Sequence, residues 1–219
     1  MLIEGIGISV RLDGRDIVTD ESVRCAGGSM TALVGPSGSG KTTLLHALGL
    51  LVPISRGRIV ADGVDVGGYD DRRRRRFWRD HAAFVLQDYG IIDDETVGFN
   101  VAMRGGRSAG VAPRVHEALD RTGLGGRAHE TASHLSGGEK QRLAIARAIA
   151  RRAQVVFVDE PTASLDAANR RAVIELFRSM SGQGATVVVA THDDEMIDAC
   201  DERHVMGGRV RTQTAAVRA

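Results

Sequence analysis

Short apolar runs alternate along this chain with segments of helical periodicity. Runs rich in β-formers and bounded by turn residues predict strands at Ile3–Val10, Met30–Val34, Gly57–Val60, Ala82–Leu86, Val155–Val158, Thr186–Ala190 and His204–Met206. Apolar residues at helical spacing predict helices at Thr42–Leu51, Pro113–Thr122, Glu139–Arg151 and Ala167–Ser181. The runs VVFV and TVVVA are apolar at every position, which is typical of parallel strands buried on both faces. The pattern therefore predicts an α/β fold with helices on both sides of a mainly parallel sheet.

The stretch from about residue 88 to residue 135 interrupts this alternation. It contains no clear strand and is predicted to form loops and short helices. We interpret it as a helical insertion in a single domain that spans residues 1–219. Residues 1–87 and about 136–219 would then form the core of that domain.

Charge and composition exclude several classes of protein. The 29 Lys and Arg residues nearly balance the 28 Asp and Glu residues, which leaves a net charge of +1. Sequence-independent nucleic-acid binders need a dominant positive field, so no nucleic-acid partner is predicted. No apolar stretch approaches the roughly 18 to 20 residues of a membrane-spanning helix. Cys25 and Cys200 form neither a metal pattern nor a disulfide framework, which fits a reducing cytoplasm.

The segment GPSGSGKT at residues 35–42 follows an apolar strand and precedes a periodic helix. Glycines let backbone N–H groups turn inward around phosphate oxygens, and the helix N-terminus adds positive potential. Lys41 supplies a charge to the β- and γ-phosphates, and Thr42 offers a hydroxyl to Mg²⁺. A plain glycine-rich turn is the weaker alternative. The predicted nucleotide-binding residues of this loop are Gly35, Pro36, Ser37, Gly38, Ser39, Gly40, Lys41, Thr42 and Thr43.

Two carboxylates, Asp159 and Glu160, come directly after the apolar run VVFV. Ligands of open α/β sheets bind at the carboxyl ends of the strands. Asp159 is therefore predicted to hold Mg²⁺ through its water shell, and Glu160 to orient a water for attack on the γ-phosphate. Taken alone, two acids could simply mark the solvated end of a strand. The phosphate loop earlier in the chain favours the chemical interpretation.

The segment LSGGE at residues 135–139 precedes KQRLAIARAIARR, a basic amphipathic helix. Together with the phosphate loop, it resembles the nucleotide-binding domain of ATP-binding cassette transporters. Gln87 lies at the position of the family's Q-loop, Ser164–Asp166 resembles its D-loop, and His192 resembles its switch histidine. These motifs occur in the family's order, and the resemblance covers essentially the whole chain.

The resemblance implies a P-loop NTPase fold: a mainly parallel sheet, an antiparallel β part and an inserted helical subdomain. It also implies that two cassettes dimerise head to tail, as a homodimer or a mixed pair. Each ATP then lies between one subunit's phosphate loop and the other's LSGGE, with ATP and Mg²⁺ as cofactors. Ser136 and Glu139 also match a capping box, and we expect both roles. The residues implied to contact nucleotide are Ser136, Gly137, Gly138, Glu139 and Asp166.

Two further roles depend on the resemblance alone. Gln87 would contact magnesium and the attacking water, and would move with the helical insertion. His192 would sense the γ-phosphate and, with Glu160 and Gln87, form the catalytic set. Without the family comparison, Gln87 is an ordinary surface amide and His192 an ordinary histidine near the end of a strand.

Residues 88–103, DYGIIDDETVGFNVAM, resemble the ATPases of the macrolide, lipoprotein-release and bacteriocin-export group. This similarity implies an ATP hydrolase that drives export through a separate transmembrane permease, and that is peripheral on the cytoplasmic face of the membrane. Tyr89, Ile91 and Ile92 would line a groove for the permease's coupling helix, or alternatively pack within the insertion. A soluble non-transport ATPase and a non-hydrolysing partner of an asymmetric pair are the competing functions.

The sequence departs from the family pattern in two places. An aromatic residue that stacks on adenine is usual near residue 12, where this chain has only Leu12, so a nearby arginine is an alternative platform. The run RRRRRFWR from Arg72 to Arg79 is also unusual. A solvated helix face is the favoured interpretation of that run. Contact with a membrane subunit or with anionic lipid headgroups is the alternative.

Overall fold

The computed structural model describes residues 1–103, 112–163 and 165–207. The strands are β1 (Ile3–Leu12), β2 (Arg15–Cys25), β3 (Met30–Val34), β4 (Arg56–Ala61), β5 (Val64–Asp65), β6 (Ala82–Val85), β7 (Val155–Asp159), β8 (Thr186–Ala190) and β9 (Glu202–Val205). The helices are α1 (Lys41–Leu48), α2 (Asp71–Asp80), α3 (Val97–Ala102), α4 (Pro113–Arg121), α5 (Gly137–Ala150), α6 (Ala167–Gly182) and α7 (Asp194–Ala199), and Ala132–His134 forms a 3₁₀ turn.

The strands form two sheets. A parallel sheet has the order β6-β7-β8-β3-β9, and an antiparallel sheet has the order β2-β1-β4-β5. Every residue of β7 and β8 is buried, as their continuous apolar sequences predict. The predicted fold class, a mainly parallel sheet with an antiparallel part, is confirmed.

Strand β2 was not among the predicted strands. Its pairing with β1 shifts register at several points, and Asp20 lies in the left-handed region with φ 53°. Serine hydroxyls replace ladder acceptors there: Gly7 N donates to Ser22 Oγ (2.9 Å) and Asp20 N to Ser9 Oγ (3.0 Å). These irregularities break the two-residue alternation by which a half-buried strand is recognised.

Helix α1 lies between the two sheets. Leu44 and Leu48 are fully buried in a core that also contains Ile3 of β1 and Phe157 of β7. A Cβ on Gly49, directly after α1, would lie 2.6 Å from the ring of Phe84. Only glycine therefore allows the end of α1 to approach β6 this closely, and the helix stops there instead of continuing to Leu51.

A second core covers the other face of the parallel sheet. Val101 of α3, Leu119 of α4 and Leu143 of α5 are buried in it together. Buried Asn100 holds the preceding loop, because its side chain bonds to both N and O of Ile92 (2.8 and 3.0 Å). The division of the chain at residues 88 and 136 stays a prediction.

The two sheets are also joined near the end of the described chain. Buried Glu21 of β2 accepts a bond from the backbone N of Gly207 (2.8 Å), and its other oxygen lies 2.9 Å from His204 Nε2 on β9. Within the described ranges, no helix combines the length and apolar character that a bilayer crossing requires.

Candidate nucleotide site

The phosphate loop connects β3 to α1 through glycines with positive φ. Gly35, Gly38 and Gly40 have φ of 155°, 77° and 91°. A Cβ on Gly40 would lie 2.8 Å from the carbonyl oxygen of Ile17, because β2 passes over the loop. Lys41 Nζ donates to the carbonyls of Gly35 (2.9 Å) and Pro36 (3.1 Å), which keeps its ammonium group at the loop.

Two of the three residues that were predicted to contact magnesium, Thr42 and Asp159, lie at this loop, and the third is Gln87. Thr42 Oγ1 on α1 donates to Asp159 Oδ1 at the end of β7, at 2.9 Å. Burial raises the pKa of Asp159, and the bond from Thr42 opposes that rise. A hydroxyl beside a carboxylate is a donor set that fits Mg²⁺, which prefers oxygen ligands.

Glu160 faces away from its neighbour Asp159. Its φ of 46° places it in the left-handed region, and its side chain accepts from Thr191 Oγ1 (3.2 Å). Glu160 Oε1 also lies 2.8 Å from Nδ1 of His192. The turn thus separates the two adjacent carboxylates, so that Asp159 bonds to Thr42 while Glu160 pairs with the predicted switch histidine.

Gln87 lies at the same edge of the parallel sheet. It follows β6, whose Val85 pairs with Val158 just before Asp159. Its side chain is exposed and makes no hydrogen bond within the part of the chain that the structure describes. The sheet therefore brings Gln87 to the edge that carries the two carboxylates.

The LSGGE segment begins α5 with a complete capping box. Ser136 Oγ accepts from Glu139 N (3.4 Å), and Ser136 N donates to Glu139 Oε2 (2.8 Å). Arg127 donates to the other oxygen, Glu139 Oε1. The backbone N–H of Ser136 and the Arg127 guanidinium lower the pKa of Glu139 to about 2. Both oxygens of Glu139 are thus used within the chain, which favours a role in shaping this loop.

Asp166 of the D-loop caps α6 and reaches α5 through a short network. It accepts from Asn169 N (2.9 Å) and from Asn169 Nδ2 (2.7 Å). Asn169 Oδ1 in turn accepts from Arg142 Nη1 (2.7 Å). A cavity of about 330 Å³ is lined by Ser136, Gly138, Glu139, Arg142, Leu165, Asp166 and Asn169. Ser164, the first predicted D-loop residue, lies outside the described residues.

The predicted site residues thus form two separate groups. The phosphate loop, Asp159, Glu160 and His192 surround one end of the parallel sheet, and Ser136 and Asp166 line the 330 Å³ cavity. Among the described residues, no hydrogen bond joins the phosphate loop to the LSGGE segment. The structure thus places the predicted site residues in a phosphate-loop group and a Ser136 cavity group.

Several arginines support the site without any clear sequence signal. Arg170 of α6 lies 3.0 Å from Asp193, the residue after His192 and the cap of α7. Arg147 of α5 donates to the carbonyls of Asn100 (2.9 Å) and Gly90 (2.8 Å), close to the Q-loop. Periodicity marks these residues only as helical positions, so their long-range partners appear only in the structure.

Comparison with known proteins agrees with this geometry. A family model described as ABC transporter matches residues 18–163. This chain belongs to the ABC transporter family. The cassette is 35% identical over 196 residues to the ABC transporter ATP-binding protein YtrE of Bacillus subtilis (strain 168), covering 87% of this chain and 85% of that protein. It is 39% identical over 182 residues to the lipoprotein-releasing system ATP-binding protein LolD 1 of Caulobacter vibrioides. That match covers 80% of this chain and 78% of LolD 1.

The cassette is also similar in sequence to a protein named for import. It is 38% identical over 197 residues to the methionine import ATP-binding protein MetN 2 of Salmonella choleraesuis, covering 87% of this chain and 58% of that protein. Among solved structures, the dimeric bacterial ABC transporter cassette MJ0796 superposes with a TM-score of 0.84 at 27% identity, covering 93% of this chain and 94% of that chain. A structure of the same protein in a post-hydrolysis state, bound to ADP and Pi, superposes on this chain with a TM-score of 0.83.

The recognition of the family, the fold and the ATPase activity predicted from the sequence are confirmed. The cassette binds and hydrolyses ATP as a subunit of a transporter. The roles of individual site residues stay predictions.

Glu139→Gln tests the origin of the lowered pKa. Because the folded value of about 2 lies below the ordinary 4.5, ionised Glu139 stabilises the fold above pH 4.5, and this contribution is lost as the pH falls towards 2. We expect Glu139→Gln to lower Tm at neutral pH, and the gap from wild type to narrow as the pH falls below 4.5. Thermal melts of both proteins from neutral pH to below pH 4.5 measure this difference in Tm. A gap that does not change with pH, or an equal pH-dependent gap in the exposed control Glu117→Gln, would contradict the assignment.

Proposed function

We propose that the cassette drives export through a separate membrane permease, and that it dimerises head to tail around two ATP molecules with Mg²⁺. The head-to-tail dimer is supported by the two groups of predicted site residues, which we take to be two half-sites of one chain. A second cassette would supply its Ser136 cavity to the phosphate loop of the first. The N-terminus of α5, with Ser136, Gly137 and Gly138, suits a γ-phosphate approached from that side.

Each half-site then has a distinct part in hydrolysis. The phosphate loop and Lys41 would hold the phosphates, and Thr42 and Asp159 would hold the magnesium. The metal would supply positive charge to offset the negative charge that develops on the phosphate oxygens. Glu160 orients the attacking water, while Thr191 and His192 fix its carboxylate at 3.2 and 2.8 Å. Gln87 completes the set from the neighbouring strand.

The described contacts also support a path between the nucleotide and the permease. Arg147 holds the carbonyls of Gly90 and Asn100, and the hydroxyl of Tyr89 lies 3.7 Å from the place of a Cβ on Gly137. A shift of Tyr89 and Gly90, which closely follow Gln87, would therefore be passed to α5 and its LSGGE start. Ile91 packs against the core and Ile92 is exposed, so Ile92 and Tyr89 remain the better candidates for permease contact.

The export direction rests on residues 88–103 and on the likeness to LolD 1, because MetN 2, a relative of comparable identity, is named for import. We propose that the cassette is cytoplasmic and peripheral, bound to the membrane through the permease. We expect a neighbouring reading frame to encode a membrane protein, and we expect the cassette to co-purify with that protein. Recovery of the cassette free of any membrane protein would favour the soluble ATPase.

Lys41→Ala and Ser136→Arg distinguish the two half-sites. Lys41→Ala removes the charge nearest the phosphates, so we expect ATP affinity of the monomer to fall by at least about tenfold. Ser136→Arg places bulk and charge at the partner's nucleotide, so monomer affinity should stay within about twofold while ATP-dependent dimerisation is lost. Nucleotide titration and light scattering measure both. Equal loss of monomer affinity in the two variants would refute the head-to-tail arrangement.

Glu160→Gln tests the proposed base. The amide keeps the size of the side chain but cannot accept a proton, so turnover should fall by roughly 10²–10⁴-fold, with ATP still bound. An ATP-bound dimer should accumulate. Steady-state ATPase and gel filtration with ATP report both effects. Turnover near that of wild type would exclude Glu160 as the base.

Leu12→Tyr tests how adenine is recognised. Leu12 is 37% exposed at the end of β1, opposite Arg15, while Arg11 is paired with Asp16 at 2.8 Å. Without an aromatic platform, wild type should bind ATP and GTP within about tenfold of each other. The new ring should tighten ATP binding about threefold to thirtyfold. Titration of ATP and GTP against wild type and the variant measures both effects. If wild type strongly prefers ATP and the variant binds ATP no more tightly, adenine stacks on another side chain, such as Arg15.

A further inference from the structure

Helix α2 presents arginines on one side and aromatic residues on the other. With about 100° between successive residues, its exposed arginines at positions 72, 73, 75, 76 and 79 fall on one side of the helix. Phe77 is buried on the opposite side, and Trp78 Nε1 donates to the carbonyl of Gly49 at 2.8 Å. The aromatic side thus fixes the helix on the fold. We call the exposed side the arginine face.

Most of the positive charge on this face has no counter-charge. Asp71 pairs with half-buried Arg74, which lies off the face, and Asp80 pairs with Arg79 at 2.7 Å. Among the described residues, Arg72, Arg75 and Arg76 form no ion pair. This concentration of charge stands out in a chain whose net charge is only +1.

The C-terminal end of α2 extends the same positive surface. Arg151, which follows α5, donates to the carbonyls of Trp78 and Arg79, the latter at 3.0 Å. Its guanidinium thus lies at the negative end of the α2 dipole, and the neighbouring Asp80 is paired with Arg79. Arg73 lies 5.9 Å from the ring of Tyr69, so its side chain is held at the start of the face.

We propose that the arginine face binds the anionic phospholipid headgroups of a bilayer. Guanidinium groups match phosphate oxygens in a bidentate geometry, and several basic side chains near an anionic leaflet act additively. The face carries no exposed apolar side chain that could anchor a peptide in a pocket, so an acidic protein segment fits it less well. The contact rests on the proposed function only in that it assumes a membrane nearby, and it requires no permease.

Vesicle co-sedimentation of the full chain tests this proposal. The probes are vesicles of phosphatidylcholine with phosphatidylglycerol, and vesicles of phosphatidylcholine alone. The test variant is Arg72→Gln/Arg75→Gln/Arg76→Gln. The control is Arg56→Gln/Arg58→Gln/Arg171→Gln, which removes the same charge from exposed positions elsewhere. ATPase activity and Tm of both variants should match wild type, because neither set lies in the nucleotide site.

Wild type should bind the phosphatidylglycerol vesicles and lose that binding as salt rises. The test variant should partition about tenfold to a hundredfold less, and the control within about twofold of wild type. Equal loss in both variants, or equal binding to phosphatidylcholine alone, would overturn the proposal. So would tighter binding to duplex DNA than to vesicles, or binding that appears only with the permease present. Normal ATPase activity in each case would leave the transport function intact.

Discussion

The burial of α1 between two sheets is the constraint on which the nucleotide site depends. Leu44 and Leu48 contact core residues of both sheets, and Gly49 allows the helix end to approach Phe84. Because α1 cannot shift without disturbing both sheets, the glycine turn before it and Thr42 at its start have fixed positions. Strand β2 packs against the phosphate loop at Gly40, where the carbonyl of Ile17 leaves no room for a side chain. Phosphate recognition is therefore a property of the core packing as much as of the loop itself.

Local patterns were enough to predict much of this fold. The continuous apolar runs of β7 and β8, the glycine loop and the Ser136–Glu139 capping box each depend on neighbouring residues, so a single sequence reveals them. β2 was missed because its bulges and hydroxyl–backbone bonds remove the alternation that identifies a strand.

Contacts between residues far apart in the sequence could not be predicted, because local patterns do not show which distant residues meet. Asp159 and Glu160 are adjacent in sequence, but only the turn at Glu160 shows that one bonds to Thr42 and the other to His192. The supporting bonds of Arg142 and Arg147 join residues 20 or more positions apart. Helical periodicity places such arginines on a surface and says nothing about what they contact.

Glu160 shows how catalysis and stability can be opposed at one position. A non-glycine residue at φ 46° carries about 1–3 kcal/mol of backbone strain. Glycine would relax that strain, yet it would delete the carboxylate that pairs with His192. A search for stabilising substitutions guided only by melting temperature would therefore be drawn to the very residue on which turnover is proposed to depend.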